Sequence, residues 1–287
     1  MLKEIYHFII HLRLHYQVLI LSGGYLLGGF LSGEMDTLSY GLQFINVHVL
    51  LFGGATAYNS WWDKDEGPIG GLRNPPKMTR WMHPLSLLFM AAGLFFATTM
   101  GTIYALIFLC SLILFWLYST PLARWKGDPH LSVVAIAIST GFNSVLMGTL
   151  AAGGAISLSI VLGATGASLI LISMYPVSQI FQIKEDRMRN DETFAIRYGV
   201  SGVKTFFRFT FVGGSLLLCL AIAISDLLTA LLLFAGIAIS GMLIATIINR
   251  LEGDSEDYRN VMKTKFLASL SFVSFFLIGN IIKYGWM

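Results

Sequence analysis

Charge is what this sequence has least of. Asp, Glu, Lys and Arg make up 12% of the 287 residues, against 55% hydrophobic. A soluble domain of this length cannot bury that much apolar surface, so a soluble globular class is excluded and a polytopic membrane protein is expected. Cysteine is scarce too. Cys110 and Cys219 both lie in apolar runs, which argues against a disulfide framework or a cysteine metal site and leaves them as small buried hydrophobes. No small-residue cleavage site follows the first apolar run, so no cleavable signal peptide is expected.

What is abundant is apolar sequence in long runs. A span needs roughly 20 apolar residues. Nine runs qualify, near 10–32, 37–61, 83–101, 103–120, 130–152, 155–183, 205–225, 227–249 and 263–284, with Gly101-Thr102 the only break between the third and fourth. The class expected is therefore all-α, with nine transmembrane helices. Cations are missing from the connections between runs 1 and 2, 3 and 4, 5 and 6, and 7 and 8. Of the 19 Lys and Arg, all but Lys283 fall on the other side. That asymmetry places the N-terminus in the cytoplasm and the C-terminus outside. It also accounts for the net charge of +3 without nucleic acid: most of these cations read as loop anchors at an anionic leaflet.

The longest cytoplasmic loops, about 62–82 and 184–204, each follow an acidic corner. In the first, Asn59 and Asp63 are four apart and share a helical face with His48, Phe52 and Ala55, and Gly67-Pro68 stops the helix just after Asp65 and Glu66. Arg73 and Lys77 follow. In the second, Tyr175, Gln179, Gln182 and Asp186 recur on one face, with Lys184, Arg187 and Arg189 beside them. A helical projection turns Asp191 and Glu192 away from Asp186. Taken alone, each corner reads equally well as a solvated helix end. Together, on one side of a membrane, they suit a magnesium-bound polyphosphate: oxygens take the metal, and Arg or Lys takes the remaining phosphate charge. A third loop, Tyr118-Ser119-Thr120-Pro121-Leu122-Ala123-Arg124-Trp125-Lys126, places Arg124 and Lys126 between the corners.

These three segments resemble the UbiA superfamily of intramembrane prenyltransferases. Asn59 and Asp63 match the first and third fixed positions of its motif after the second helix. Asp186-Arg187, Thr193-Phe194 and Gly199 match the end of its motif after the sixth, and Tyr118, Ser119, Pro121 and Leu122 match the loop after the fourth. Ser60, Gly67 and Gln182 stand where the family usually has Asp. The resemblance implies one domain, 1–287, whose helices surround a central apolar cavity with a cytoplasmic polar cap, in a bacterial or archaeal inner membrane. It implies transfer of an isoprenyl group from a prenyl diphosphate to an aromatic, quinoid or polar-lipid acceptor drawn from the membrane, with Mg2+ as cofactor.

The metal ligands implied are Asn59, Asp63, Asp65, Glu66, Gln182 and Asp186, with Asn59, Asp63 and Asp186 central to catalysis. The diphosphate ligands are Arg73, Lys77, Arg124, Lys126, Lys184 and Arg187. The prenyl or acceptor contacts are Tyr58, Trp62, Tyr175 and Asn143, although Asn143 reads equally as a hydrogen bond between helices. Two other classes stay open. A terpene cyclase on the same fold would trap the cation within its own substrate. A transporter or binding-only protein would use the same spans, but the nearly neutral midplane disfavours it.

Overall fold

The computed structural model describes residues 2–64 and 67–285. Its regular elements are helical. α1 is a bent pair, Leu2–Leu21 and Gly23–Leu31, meeting at 45°. After it come α2 (Thr37–Asp63), α3 (Met82–Met100), α4 (Thr102–Ser119), α5 (Pro129–Ala151), α6 (Leu158–Met188), α7 (Phe194–Ala223), α8 (Leu227–Asn249) and α9 (Ser255–Tyr284). Among the described residues eight helices are long and apolar enough to cross a bilayer, and α1 makes nine if its two halves count as one crossing. The outside of the bundle is apolar. Phe95, Phe209 and Met242 are 79%, 77% and 70% exposed, which water disfavours and lipid accepts.

The cation-poor connections are closed by caps. Asp36 accepts from the Ser39 amide at the start of α2, Ser157 from Ile160 at α6, and Asp226 from Thr229 at α8. Each side-chain oxygen satisfies an amide that the helix leaves free. Gly101, at φ 93°, turns α3 straight into α4. Hydropathy placed three starts too late: α1 begins at Leu2, α7 at Phe194 and α9 at Ser255. The added turns hold Lys3, Arg197, Lys204 and Arg259, which an apolar criterion rejects and a helix projecting into water tolerates. In α7 the first turn is separated from the rest by Gly199, at φ 66° and ψ 177°. Cys110 is exposed on the outer face of α4 and Cys219 half-buried, so neither is the fully buried hydrophobe expected.

The closest packing joins the second half of α1 to α5. A methyl group on Gly28 would lie 2.1 Å from the Val145 carbonyl oxygen, and one on Gly148 would lie 2.1 Å from that of Tyr25. Only glycine lets two helix backbones approach this far. Tyr25, Leu27, Val145, Met147 and Phe276 surround the contact. This core fills the end of the bundle that carries the short loops and leaves room at the other.

Gly28→Val is expected to cost about 3 kcal/mol through overpacking against carbonyl groups that cannot move aside. Thermal unfolding of the detergent-solubilised protein measures it. Gly236→Ala, where nothing lies within 4 Å, serves as the control and should leave the midpoint unchanged. Equal midpoints for the two variants would show that the α1–α5 contact does not limit stability.

Candidate functional site

At the loop-rich end α1, α2, α4, α5, α6 and α9 enclose a cavity of about 320 Å³. Its deep part is apolar, with Ile20, Leu21, Phe52, Phe115, Ile170 and Phe272 among the lining side chains. Its mouth is ringed by Arg13, Asn59, Asp63, Lys126, Gln182, Asp186, Arg189, Asp191 and Lys265.

One wall is the end of α2. Asn59 and Asp63 sit one turn apart and both line the cavity, with Asn59 Nδ2 donating to Ser119 Oγ at 3.2 Å. Lys64 takes a left-handed conformation, φ 49°, and ends the helix. From Gly67 onward the chain lies against the mouth, with a tight turn at Ile69–Leu72. α1 pins that loop. Arg13 donates to Gly70 O at 3.0 Å and to Ser60 Oγ at 2.8 Å, while His15 and His11 donate from Nε2 to Gly71 O and Pro76 O. Arg73 and Lys77 lie in the same loop. Both are exposed and outside the cavity lining.

The facing wall is the end of α6. Pro176 cannot continue the α-helical hydrogen bonding, and Pro176–Gln182 winds as a 3-10 helix. Tyr175, Gln179, Gln182 and Asp186 all line the cavity, as their shared face suggested. The tighter winding adds Ser178 and Phe181 to them. Lys184 and Arg187 are exposed and off the lining. They lie two and one positions from Asp186, hence on other faces of the helix. The helix stops after Met188, and Asn190, at φ 59°, reverses the chain so that the Asp191 amide bonds the Asp186 carbonyl at 3.0 Å. Asp191 therefore returns to the cavity, where a continuous helix would have carried it away.

The α4–α5 loop bridges the walls. Arg124 makes a bidentate pair with Asp191, Nε to Oδ1 at 2.6 Å and Nη2 to Oδ2 at 2.8 Å, and so does not line the cavity. Lys126 is buried and ion-paired with Asp63. Burial pushes its ammonium down to about 8, although Asp191 and Asp186 pull the other way. Tyr118 and Tyr175, from α4 and α6, line the cavity with their hydroxyls 3.0 Å apart.

The other expected contacts lie elsewhere. Tyr58 stacks on His83 with centroids 5.5 Å apart, and Trp62 meets the same ring edge-on at 5.4 Å, so both pack against α3. Asn143 Nδ2 bonds Ser111 Oγ at 2.9 Å and joins α5 to α4. Asp65 and Glu66 lie outside the described residues. Among the polar lining residues not singled out from sequence are Arg13, Tyr16, Gln17 and Lys265. Arg13 and Gln17 are one turn apart at the start of an apolar run, as are Lys265 and Ser269. Polar pairs at that spacing in a span are a readable sign of a cavity.

The mouth can hold a divalent cation only in part. Among the described residues no three His, Cys, Asp or Glu side chains form a metal cluster. The oxygens of Asn59, Asp63, Gln182, Asp186 and Asp191 fit a magnesium ion that completes its shell with substrate phosphates and water.

This architecture is shared with known structures. A UbiA homolog from Archaeoglobus fulgidus bound to DMAPP and Mg2+ superposes with a TM-score of 0.75 at 15% identity, covering 96% of this chain and 99% of that one. A structure of the Archaeoglobus fulgidus homolog bound to GPP and Mg2+ gives 0.74 at 15% identity, covering 95% and 99%. A digeranylgeranylglyceryl phosphate synthase gives 0.66 at 18% identity, covering 98% and 99%. No curated protein matches the sequence. The model of the UbiA prenyltransferase family matches residues 20–270, and the chain belongs to that family.

Proposed function

We propose that this protein transfers an isoprenyl group from a prenyl diphosphate to an aromatic, quinoid or polar-lipid acceptor in the membrane, with Mg2+ as cofactor. The observation that carries the reading is the interleaving of acids and bases around the mouth of an apolar chamber. Asp63 with Lys126 stands on one wall, and Asp186 with Arg189 and Asp191 on the other. Relatives of the same fold bind GPP or DMAPP with Mg2+. The chamber draws walls from Arg13 in α1 and Lys265 in α9, which supports reading 1–287 as one domain. The cation asymmetry between loops supports a cytoplasmic mouth and an N-terminus on the same side.

The chain's own residues account for most of the chemistry. Asn59, Asp63, Gln182, Asp186 and Asp191 would hold the metal, which when bound supplies positive charge to the leaving diphosphate. Lys126 and Arg189 bind the phosphate oxygens and stabilise the charge that grows on them as the bond to the allylic carbon breaks. Phe115, Tyr118, Tyr175 and Phe181 line the chamber, where aromatic ring faces can stabilise the allylic cation. The apolar depth takes the prenyl tail and excludes water from the cation.

Asp63→Ala and Asp186→Ala are each expected to lower Mg-dependent diphosphate release by about 10²–10³-fold while the protein still inserts. Release from geranyl diphosphate, with mass spectrometry of the products, measures this. Near-normal turnover in either variant would remove that residue from the site, and a cyclic hydrocarbon from the donor alone would assign a cyclase.

Lys126 sets a pH dependence. Its ammonium is charged below a pKa of about 8 and is lost as pH rises through that value. Affinity for a prenyl diphosphate should therefore fall above about pH 8. Lys126→Arg stays protonated and should move the decline to higher pH. Titration of geranyl S-thiolodiphosphate binding between pH 6.5 and 9.5 decides it, and identical profiles for the two proteins would exclude Lys126.

A further inference from the structure

One cation in the chamber is not explained by the diphosphate site. Lys265 lines the cavity from α9, and its Nζ lies over the Tyr16 ring of α1, 5.5 Å from the centroid. Its neighbours Arg259 and Lys263 are exposed on the outer side of the same helix. A lysine near a helix end normally extends its stem to put the ammonium in water. Lys265 instead turns inward and rests on an aromatic face, and a cation kept in a membrane cavity usually serves the cavity's contents.

The acids of the mouth do not hold it. Asp63 pairs with Lys126 and Asp191 with Arg124, and no carboxylate among the described residues lies within ion-pair distance of Lys265. Among the described residues the lining carries Arg13, Lys126, Arg189 and Lys265 with Asp63, Asp186 and Asp191, and Lys265 makes no ion pair with any of these acids. Its position is well defined. At the far end α9 is fastened to α1 by Asn280 Nδ2 on Leu26 O at 2.9 Å, Lys283 Nζ on Phe30 O at 2.6 Å and Tyr284 OH on Gly29 O at 3.0 Å. Those bonds fix the register that brings Lys265 to Tyr16.

We propose that Lys265, seated on Tyr16, is the recognition point for an anionic head group, a phosphate or a carboxylate, on the acceptor. This deepens the prenyl-transfer reading and rests on it. The donor's diphosphate occupies the α2 and α6 walls, and the acceptor's anion is held on the α1–α9 wall, so the two anions are kept apart across one chamber. An ammonium binds either oxyanion as a point charge without demanding a planar geometry. Lys265 thus selects for charge on the acceptor, and other contacts choose between the two head groups.

The test measures acceptor binding with the donor site filled. Protein in neutral detergent is saturated with geranyl S-thiolodiphosphate and Mg2+. Affinities are then compared for oleoyl lysophosphatidic acid against monoolein, and for 4-hydroxybenzoate against 4-hydroxyacetophenone. The wild type is expected to prefer at least one anion over its neutral partner by about tenfold. Lys265→Met should abolish the preference, Lys265→Arg should keep it, and both should bind the thiolodiphosphate within twofold of the wild type. The first pair reports a phosphate head and the second a carboxylate. Equal binding of both pairs by the wild type, including no binding at all, would overturn the proposal, as would a preference retained in Lys265→Met. Weakened thiolodiphosphate binding in Lys265→Met would also overturn it, because it would assign the residue to the donor. A wild type that fails to bind the thiolodiphosphate would overturn the prenyl-transfer reading itself.

Discussion

In hydrocarbon every backbone amide and carbonyl needs a partner, and irregular backbone is tolerated only where protein or a cavity surrounds it. The chamber lies where this chain breaks its helices. Arg13 interrupts α1 with a left-handed turn, and π-helical stretches run over Gln17–Leu21, Asn46–Gly53 and Ala137–Phe142. The 3-10 stretch Pro176–Gln182 interrupts α6. All five contribute side chains to the lining. The freed groups are taken up locally: Gln17 Nε2 donates to Leu12 O at 3.0 Å, and the Thr56 hydroxyl lies 3.3 Å from the same oxygen. Breaking the helices opens the space, and polar side chains around it make the breaks affordable.

The same economy governs the charges at the mouth. An isolated ion buried this far from water would be costly, and a close pair offsets much of that cost only when its geometry is good. Asp191 with Arg124 meets that condition through two parallel bonds, and Asp63 is paired with Lys126. Each pair joins a different wall to the α4–α5 loop, so the three loop segments around the mouth hold one another in place. In the proposed reaction these pairs are the groups that exchange partners. Lys126 would turn from Asp63 to the phosphate oxygens, and Asp63 and Asp191 would hold the metal, whose charge would offset that of the diphosphate. A mouth of acids alone would repel a diphosphate, and one of bases alone would leave no ligands for its metal.

The sequence made the span count, the two acidic corners and their meeting legible for one reason. Polar residues at helical spacing in an apolar run have few places to go. Asn59 with Asp63, and Tyr175, Gln179, Gln182 and Asp186, line the chamber on that logic. Flanking cations and aromatic residues were less informative, because a membrane interface accepts them on any face. Arg73, Lys77, Lys184 and Arg187 point outward, and Tyr58 and Trp62 pack on His83. Asp191 was hidden by a reversal at Asn190 that helical projection cannot anticipate. Arg13 and Lys265 carried the readable signal, but they sit in the first and last crossings, away from the motifs.

That distribution explains why the closed end of the bundle matters to the open end. Gly28 against Val145 and Gly148 against Tyr25 set the distance between α1 and α5, and Asn280 and Lys283 tie α9 to the second half of α1. None of these residues lines the chamber. They fix where α1 and α9 stand, and with them the Arg13 that holds the loop over the mouth and the Lys265 that faces its contents. Close packing at one end is therefore a condition for the geometry of charge at the other. A substitution that loosens the glycine contact should disturb the mouth before it exposes any of the chamber's own residues.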